Sequence, residues 1–241
     1  YAQQLYHDFA VDMPVIDYHN HLSPKALAEN TIFDSITAAW IDGDHYKWRA
    51  MRTLGIEEKF ITGGASAKEK FAKWAYTVPY TMRNPLYHWT HMELSRYFGI
   101  NDLLNEKNAD TIFDNASEKL NDSNYSCREL ISKMNVEVLC TTEDPTDTLE
   151  YHQQLAKSSF GTKVSTAFRP DKAILIDSET YNDYLDNLEK ATNLTISTYE
   201  DLCTALKQRI SYFHDNGCRL CDHGLNHLFA EEFTASEINA I

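Results

Sequence analysis

Four short apolar runs, each closing on polar residues, constrain this chain more than any other feature. They are "VIDYHNHL" (15–22), "VEVLCTT" (136–142), "KVSTAFRP" (163–170) and "CRLCDHGL" (218–225). Strands that are apolar along their length and polar at their C-terminal ends belong to parallel sheets, which are covered on both faces. Helical sequence separates the later runs. "DTLEYHQQLAKSSF" (147–160) opens after the Pro145 turn, and a long stretch near 178–214 contains "SETYNDYLDNLEKA" and "YEDLCTALKQRISYFHDNG". Gly217 closes that stretch, as glycine commonly closes helices. Strand alternating with helix predicts a parallel sheet with right-handed crossovers, an α/β fold.

The interval between the first and second runs is too long for one crossover. Residues 27–125 hold amphipathic segments such as "SAKEKFAKWAYTV" and "NPLYHWTHMELSRYFGI", rich in Trp, Tyr and Met. They read as a mostly helical insertion, over the mouth of the sheet, within one domain spanning 1–241. The sequence closes on "FTASEINAI", inside a helical pattern. Four strands are half of the eight that a (β/α)8 TIM barrel requires. The expectation is the N-terminal portion of such a barrel.

Composition removes several classes of function. With 241 residues, 43% of them apolar, one sizeable core is affordable. No apolar run approaches the roughly 20 residues that cross a bilayer, so no membrane partner is expected. The opening "YAQQLYHDFAVDM" lacks the basic and apolar regions of a secretion signal, and its first residue, Tyr1, implies that a few residues precede it. Five cysteines, an odd number spread along the chain, suit reduced thiols in a cytoplasm. A net charge of −14 without a basic face argues against nucleic acid. An anionic substrate must then be gripped by particular arginines. The aromatic-rich insertion allows a homo-oligomer.

The polar ends of the strands are the candidate site. In a strand, residues two apart share a face, so Asp17, His19 and His21 point one way, and the two imidazoles suit a single cation. Two hydrogen-bonded histidines explain the spacing equally well. A catalytic zinc usually has three protein ligands, and the third is not evident here. "GDHYKWRAMR" (43–52) places His45, Tyr46, Arg49 and Arg52 in one polar–aromatic cluster. It reads as an anion-gripping lid, or as an ordinary helix start capped by Asp44 with Trp48 in the core. Arg169 ends the third strand, where its planar fork suits a carboxylate, with a surface pair to Asp171 as the alternative. Asp222 and His223 end the fourth, either lining a pocket or forming a turn before Gly224. Cys218 and Cys221 form an isolated CxxC that carries little weight. His88 and His91 lie three apart on a helix face and read as packing.

Together "DYHNHL", "DGDHYKWRAMRTLG", "RNPLYHWTHMEL", "VEVLCTTEDPTDTLEYH" and "FRPDKA" closely resemble the bacterial uronate (glucuronate) isomerase family of the metal-dependent amidohydrolase superfamily. The likeness runs from about residue 5 to the end and covers the N-terminal half of such an enzyme. It implies a (β/α)8 barrel that interconverts D-glucuronate with D-fructuronate and D-galacturonate with D-tagaturonate. It also implies a divalent cation, zinc first and Mn or Co as alternatives. On the matching positions His19 and His21 become metal ligands, His45 and Tyr46 the substrate-contacting pair, and Arg169 the arginine that meets the sugar acid. Arg49 would assist Tyr46, and His223 would line the substrate pocket. Asn20 stands where the family often has Cys. The family's remaining ligand, an aspartate at the eighth strand followed by an arginine, has no counterpart in these residues. A superfamily hydrolase and a non-catalytic half-barrel are the competing readings.

Overall fold

Apolar β-branched residues and the polar runs that end them build a four-stranded, all-parallel sheet. In the computed structural model, residues 1–225, 230–238 and 240 are described. The strands are β1 (Val15–Asp17), β2 (Val136–Glu143), β3 (Lys163–Phe168) and β4 (Leu220–Cys221), in spatial order β1-β2-β3-β4. Each pairs in parallel with the next, and β2–β3 is the longest ladder, from Val138↔Lys163 to Glu143↔Phe168.

Three strands are shorter than their sequence runs, β3 by two residues and β1 and β4 by more. β1 stops at Asp17, so His19 and His21 lie beyond the ladder, and the face-sharing argument does not apply to them. β4 has two residues, leaving Cys218 before it and Asp222 and His223 after it. The stretch near 178–214 is not one helix but two, Tyr181–Thr192 and Tyr199–Asp215, parted at Asn193 in the left-handed region (φ 56°). A capping box between Thr198 and Asp201 starts the second. Of the helical pattern in "FTASEINAI", Ala235–Ile238 form a helix, and residues 239 and 241 lie outside those described.

The chain divides into two compact units: Tyr1–Glu29 with Ile131–Ile241, and Asn30–Leu130. The first holds the sheet. Its loop after β2 is fixed by Arg209, a buried guanidinium that donates to the carbonyls of Pro145 (2.6 Å), Asp147 (2.7 Å) and Ala191 (3.3 Å). The second unit is helical, with helices Ile36–Trp40, His45–Thr53, Ala67–Thr77, Pro85–Phe98 and Ala109–Leu120. Asp44, read from the sequence as a possible cap, and also Ser66 with Glu69 and Asn84 before Pro85, satisfy backbone N–H groups at helix starts. Gly99, at φ 65°, ends the helix Pro85–Phe98. Among the described residues, no helix is long and apolar enough to cross a membrane.

Candidate functional site at the C-terminal strand ends

Beyond Asp17 the chain leaves the ladder but is not loose, because Asn20 anchors it. The Asn20 N–H donates to the Cys140 carbonyl (3.0 Å), and the Thr142 hydroxyl donates to the Asn20 carbonyl (2.9 Å). The Asn20 side-chain amide donates to Asp17 Oδ2 (3.0 Å) and its oxygen accepts from the Leu22 N–H (3.1 Å). Asp17 Oδ1 also accepts from the His19 N–H (3.3 Å). These contacts do what the ladder does not. His19 and His21 come together edge to face, ring centroids 5.0 Å apart.

From the ends of β3 and β4 come the charges that surround His19. Asp222 Oδ2 lies 3.0 Å from His19 Nδ1 and 2.7 Å from Arg169 Nη2, and Oδ1 accepts from Arg169 Nε at 3.3 Å. Asp171 Oδ2 lies 3.7 Å from Arg169 Nε, while Asp171 Oδ1 meets His223 Nδ1 at 2.9 Å. The Gly224 N–H donates to Asp171 Oδ2 (2.8 Å), and a Cβ at Gly224 would stand 3.1 Å from that oxygen. Glycine therefore lets the segment after β4 close onto Asp171. The pair expected between Arg169 and Asp171 is the longer of two, and Asp222 holds the guanidinium through two nitrogens. Arg169 is placed by its own N–H, which donates to the Glu143 carbonyl (3.0 Å).

A second polar cluster lies close by; its Thr141, Glu143 and His152 fall within "VEVLCTTEDPTDTLEYH", which did not announce their pairing. Glu143 and His152 are both buried, with His152 Nε2 3.5 Å from Glu143 Oε2. The Thr141 hydroxyl donates to Glu143 Oε2 (2.6 Å) and sits 2.8 Å from His152 Nε2, and Thr166 donates to the same carboxyl oxygen. Burial raises the Glu143 pKa above its ordinary value and lowers that of His152. His152 Nδ1 has no partner among the described residues. The only signals for this cluster were single letters at a strand end and in a helix, too little to pair them.

His45, Tyr46 and Arg49 belong to the helical unit. They occupy the first turns of His45–Thr53, where Asp44 accepts from the Tyr46 and Lys47 N–H groups at 2.9 and 3.1 Å. The His45 and Tyr46 rings pack at a tilt of 33° with centroids 4.3 Å apart, and Arg49 lies over the Tyr46 ring at 5.7 Å. Tyr46 and Arg49 line an open groove of about 520 Å³ with Thr53, Tyr80, Met82 and Trp89. His91, by contrast, is a packing residue: Nδ1 is 2.8 Å from the Tyr87 carbonyl, and Nε2 accepts from the Leu104 N–H.

The strand-end histidines suit a divalent cation as two of its ligands. A carboxylate accepts but does not donate, so in a neutral ring Asp222 favours the proton on His19 Nδ1 and the lone pair on Nε2. Among the described residues, no group of three or more His, Cys, Asp or Glu is gathered for a metal.

Parallel strands carrying paired histidines and an arginine beyond their C-terminal ends place these residues at the sheet's carboxyl edge, where α/β folds commonly bind ligands. Solved structures agree. Uronate isomerase from Thermotoga maritima superposes with a TM-score of 0.84 at 32% identity, covering 95% of this chain and 54% of that one. Glucuronate isomerase from Caulobacter crescentus gives a TM-score of 0.87 at 26% identity, covering 95% and 49%. The glucuronate isomerase family model matches residues 1–241, and the chain belongs to that family. Among curated relatives, uronate isomerase of Flavobacterium johnsoniae is 58% identical over the whole chain, which covers 52% of it. That of Bacillus pumilus is 51% identical, the chain covering 50% of its length. This chain thus spans about half the length of the relatives it matches.

Proposed function

We propose that the protein of which these residues form part is an aldose–ketose isomerase acting on hexuronates. It would convert D-glucuronate to D-fructuronate and D-galacturonate to D-tagaturonate, on a complete (β/α)8 barrel of the metal-dependent hydrolase type. The observation that carries this reading is family membership over the full chain, joined to His19 and Arg169 gathered around the Asp222 carboxylate, with His21 against the His19 ring.

The chemistry requires hydrogen to move between C1 and C2, most simply through a cis-enediol with general acid–base help. A divalent cation, zinc in first place and Mn or Co as alternatives, would polarise the substrate's carbonyl and hydroxyl oxygens and stabilise negative charge as it develops. His19 and His21 would hold it. Arg169 would pair with the C6 carboxylate. Its contacts to Asp222 run through Nε and Nη2, so the Nη1 side of the fork can take a second carboxylate. Tyr46 would exchange a proton with a sugar hydroxyl, with Arg49 lying over its ring. His45 would contact the substrate beside it, and His223, held by Asp171, would line the pocket.

The test is proton NMR of D-glucuronate with the full-length gene product, with and without added zinc. Metal-dependent appearance of the ketose, lost in a His19→Ala/His21→Ala variant, is expected. A folded, metal-loaded protein that leaves both glucuronate and galacturonate unchanged would overturn the reading.

A further inference from the structure

β1 and β4 are the outer strands of the sheet, with β2 and β3 between them. No ladder can therefore set the distance between a residue after β1 and a residue after β4. Yet Asp222 Oδ2 stands 3.0 Å from His19 Nδ1, a contact that crosses the carboxyl ends of the two inner strands. The same oxygen is 2.7 Å from Arg169 Nη2, at the end of β3. One carboxylate thus closes the row β1, β3, β4 at the site.

Two chemical consequences follow. An acceptor on Nδ1 selects the imidazole tautomer with its proton there, which is the minor form of free histidine, and turns Nε2 into the donor atom for a cation. A carboxylate engaging Nε and Nη2 fixes the plane of the guanidinium fork and leaves its remaining edge in one direction. Asp222 is half-sheltered, with its side chain 29% exposed, so water competes only in part for these bonds.

We propose that Asp222 is a positioning residue that orients both His19 and Arg169, coupling the place of the cation to the place of the sugar acid's carboxylate. This rests on the isomerase reading above. Asp222 itself touches neither reacting carbon in this assignment and acts through its two partners. The neighbouring Asp171 completes the frame from the other side, through Arg169 Nε, His223 and the Gly224 N–H.

Three readouts on the full-length protein test it, with Asp222→Asn and Asp222→Ala as variants. The first is the ¹⁵N signal of the His19 ring in the metal-free protein. The wild type should show the Nδ1–H tautomer, and Asp222→Ala should revert to Nε2–H. Zinc affinity, by competition with a chromophoric chelator and no sugar present, should fall about 10- to 100-fold in Asp222→Ala, the usual effect of losing a partner behind a ligating histidine. Asp222→Asn, which keeps one oxygen for Nδ1–H, should lose less. At saturating zinc, KM for D-glucuronate should rise about tenfold in both variants, the size of one charge-assisted hydrogen bond. An Arg169→Gln background should absorb most of that rise, since the effect travels through Arg169.

Folded Asp222 variants that keep the His19 tautomer, the zinc affinity and KM of the wild type would overturn the proposal. If Asp222→Ala does not fold, Asp222→Asn decides by zinc affinity and KM. Failure of the metal reading looks different. There, His19→Ala would leave zinc affinity untouched, while the tautomer shift in Asp222→Ala would still report the contact.

Discussion

Residues Asn30–Leu130 are held by Trp74, Phe71, Met51, Leu94 and Leu120, all buried in one continuous apolar cluster. In the other unit the strand ends are fixed by polar contacts instead: Asn20 on β2, Asp222 on Arg169 and His19, Arg209 on three carbonyls, Glu143 among two threonines and His152. Apolar packing is roughly proportional to buried area and tolerates small shifts of geometry. Hydrogen bonds and ion pairs depend steeply on distance and angle, and leave a large penalty when one partner is lost. A scaffold can rely on the former. Groups that must meet a ligand at defined atoms need the latter.

The sharpest break of this contrast is Trp74→Ala. Trp74 is fully buried, and its removal should cost about 3–5 kcal/mol in denaturant unfolding, as for other large-to-small core changes. Trp74→Phe should cost much less, because the indole N–H that it deletes has no partner among the described residues. Equal losses from the two variants would mean that the ring's area is not what holds the helical unit.

Next in size is the pH response of the polar cluster. Burial raises the Glu143 pKa, so the folded state retains a proton that the unfolded state releases near 4.5. Stability is therefore lost as pH rises from about there through the folded value. His152 is shifted down by burial, so the unfolded state gains a proton that the folded state refuses as pH falls through 6.5, and stability is lost on that side. Glu143→Gln should flatten the decline of Tm with rising pH while leaving the acid limb in place. A Tm profile of Glu143→Gln parallel to the wild type at every pH would refute this assignment.

The smallest effect is at a helix end. Asp44→Ala removes the acceptor for the Tyr46 and Lys47 N–H groups and the partner of the Lys47 ammonium, and should cost about 1 kcal/mol. Burial raises the Asp44 pKa, but the charge and hydrogen bonds of Lys47, with the Tyr46 N–H, outweigh it and hold the carboxyl below its ordinary value. Its stabilising share is present above pH 3.8 and fades as pH falls below it. Asp44→Asn should retain most of the stability at neutral pH, which a denaturant titration would show.

How far the sequence could be read depended on the range of the interaction. Asp44 announced a helix start because a cap and the N–H groups it satisfies lie within three residues. β2 and β3 were visible as apolar runs, since burial on both faces leaves a composition signature. The ends of β1 and β4 were not. Whether Tyr18 to His21 continue a ladder depends on what β2 offers opposite them, and there Thr142 and Cys140 engage Asn20 alone. Similarly, Asn193 broke a pattern that helix periodicity carried through.

The residues of the site were legible as candidates, and their partners were not. His19, His21, Arg169, Asp222 and His223 stand out because polar groups at the ends of apolar strands have few structural reasons to be there. By itself, the sequence determined the alternation of strand and helix, the helix caps and the chemical types gathered at the strand ends, all set by local propensity and periodic burial. Only the tertiary structure decided that Arg169 turns to Asp222 more closely than to Asp171, that His19 Nδ1 meets Asp222, and that Glu143 meets His152. The reason is physical. A polar contact between distant segments leaves no period in the sequence, and its partner is chosen by where folding brings the strand ends together.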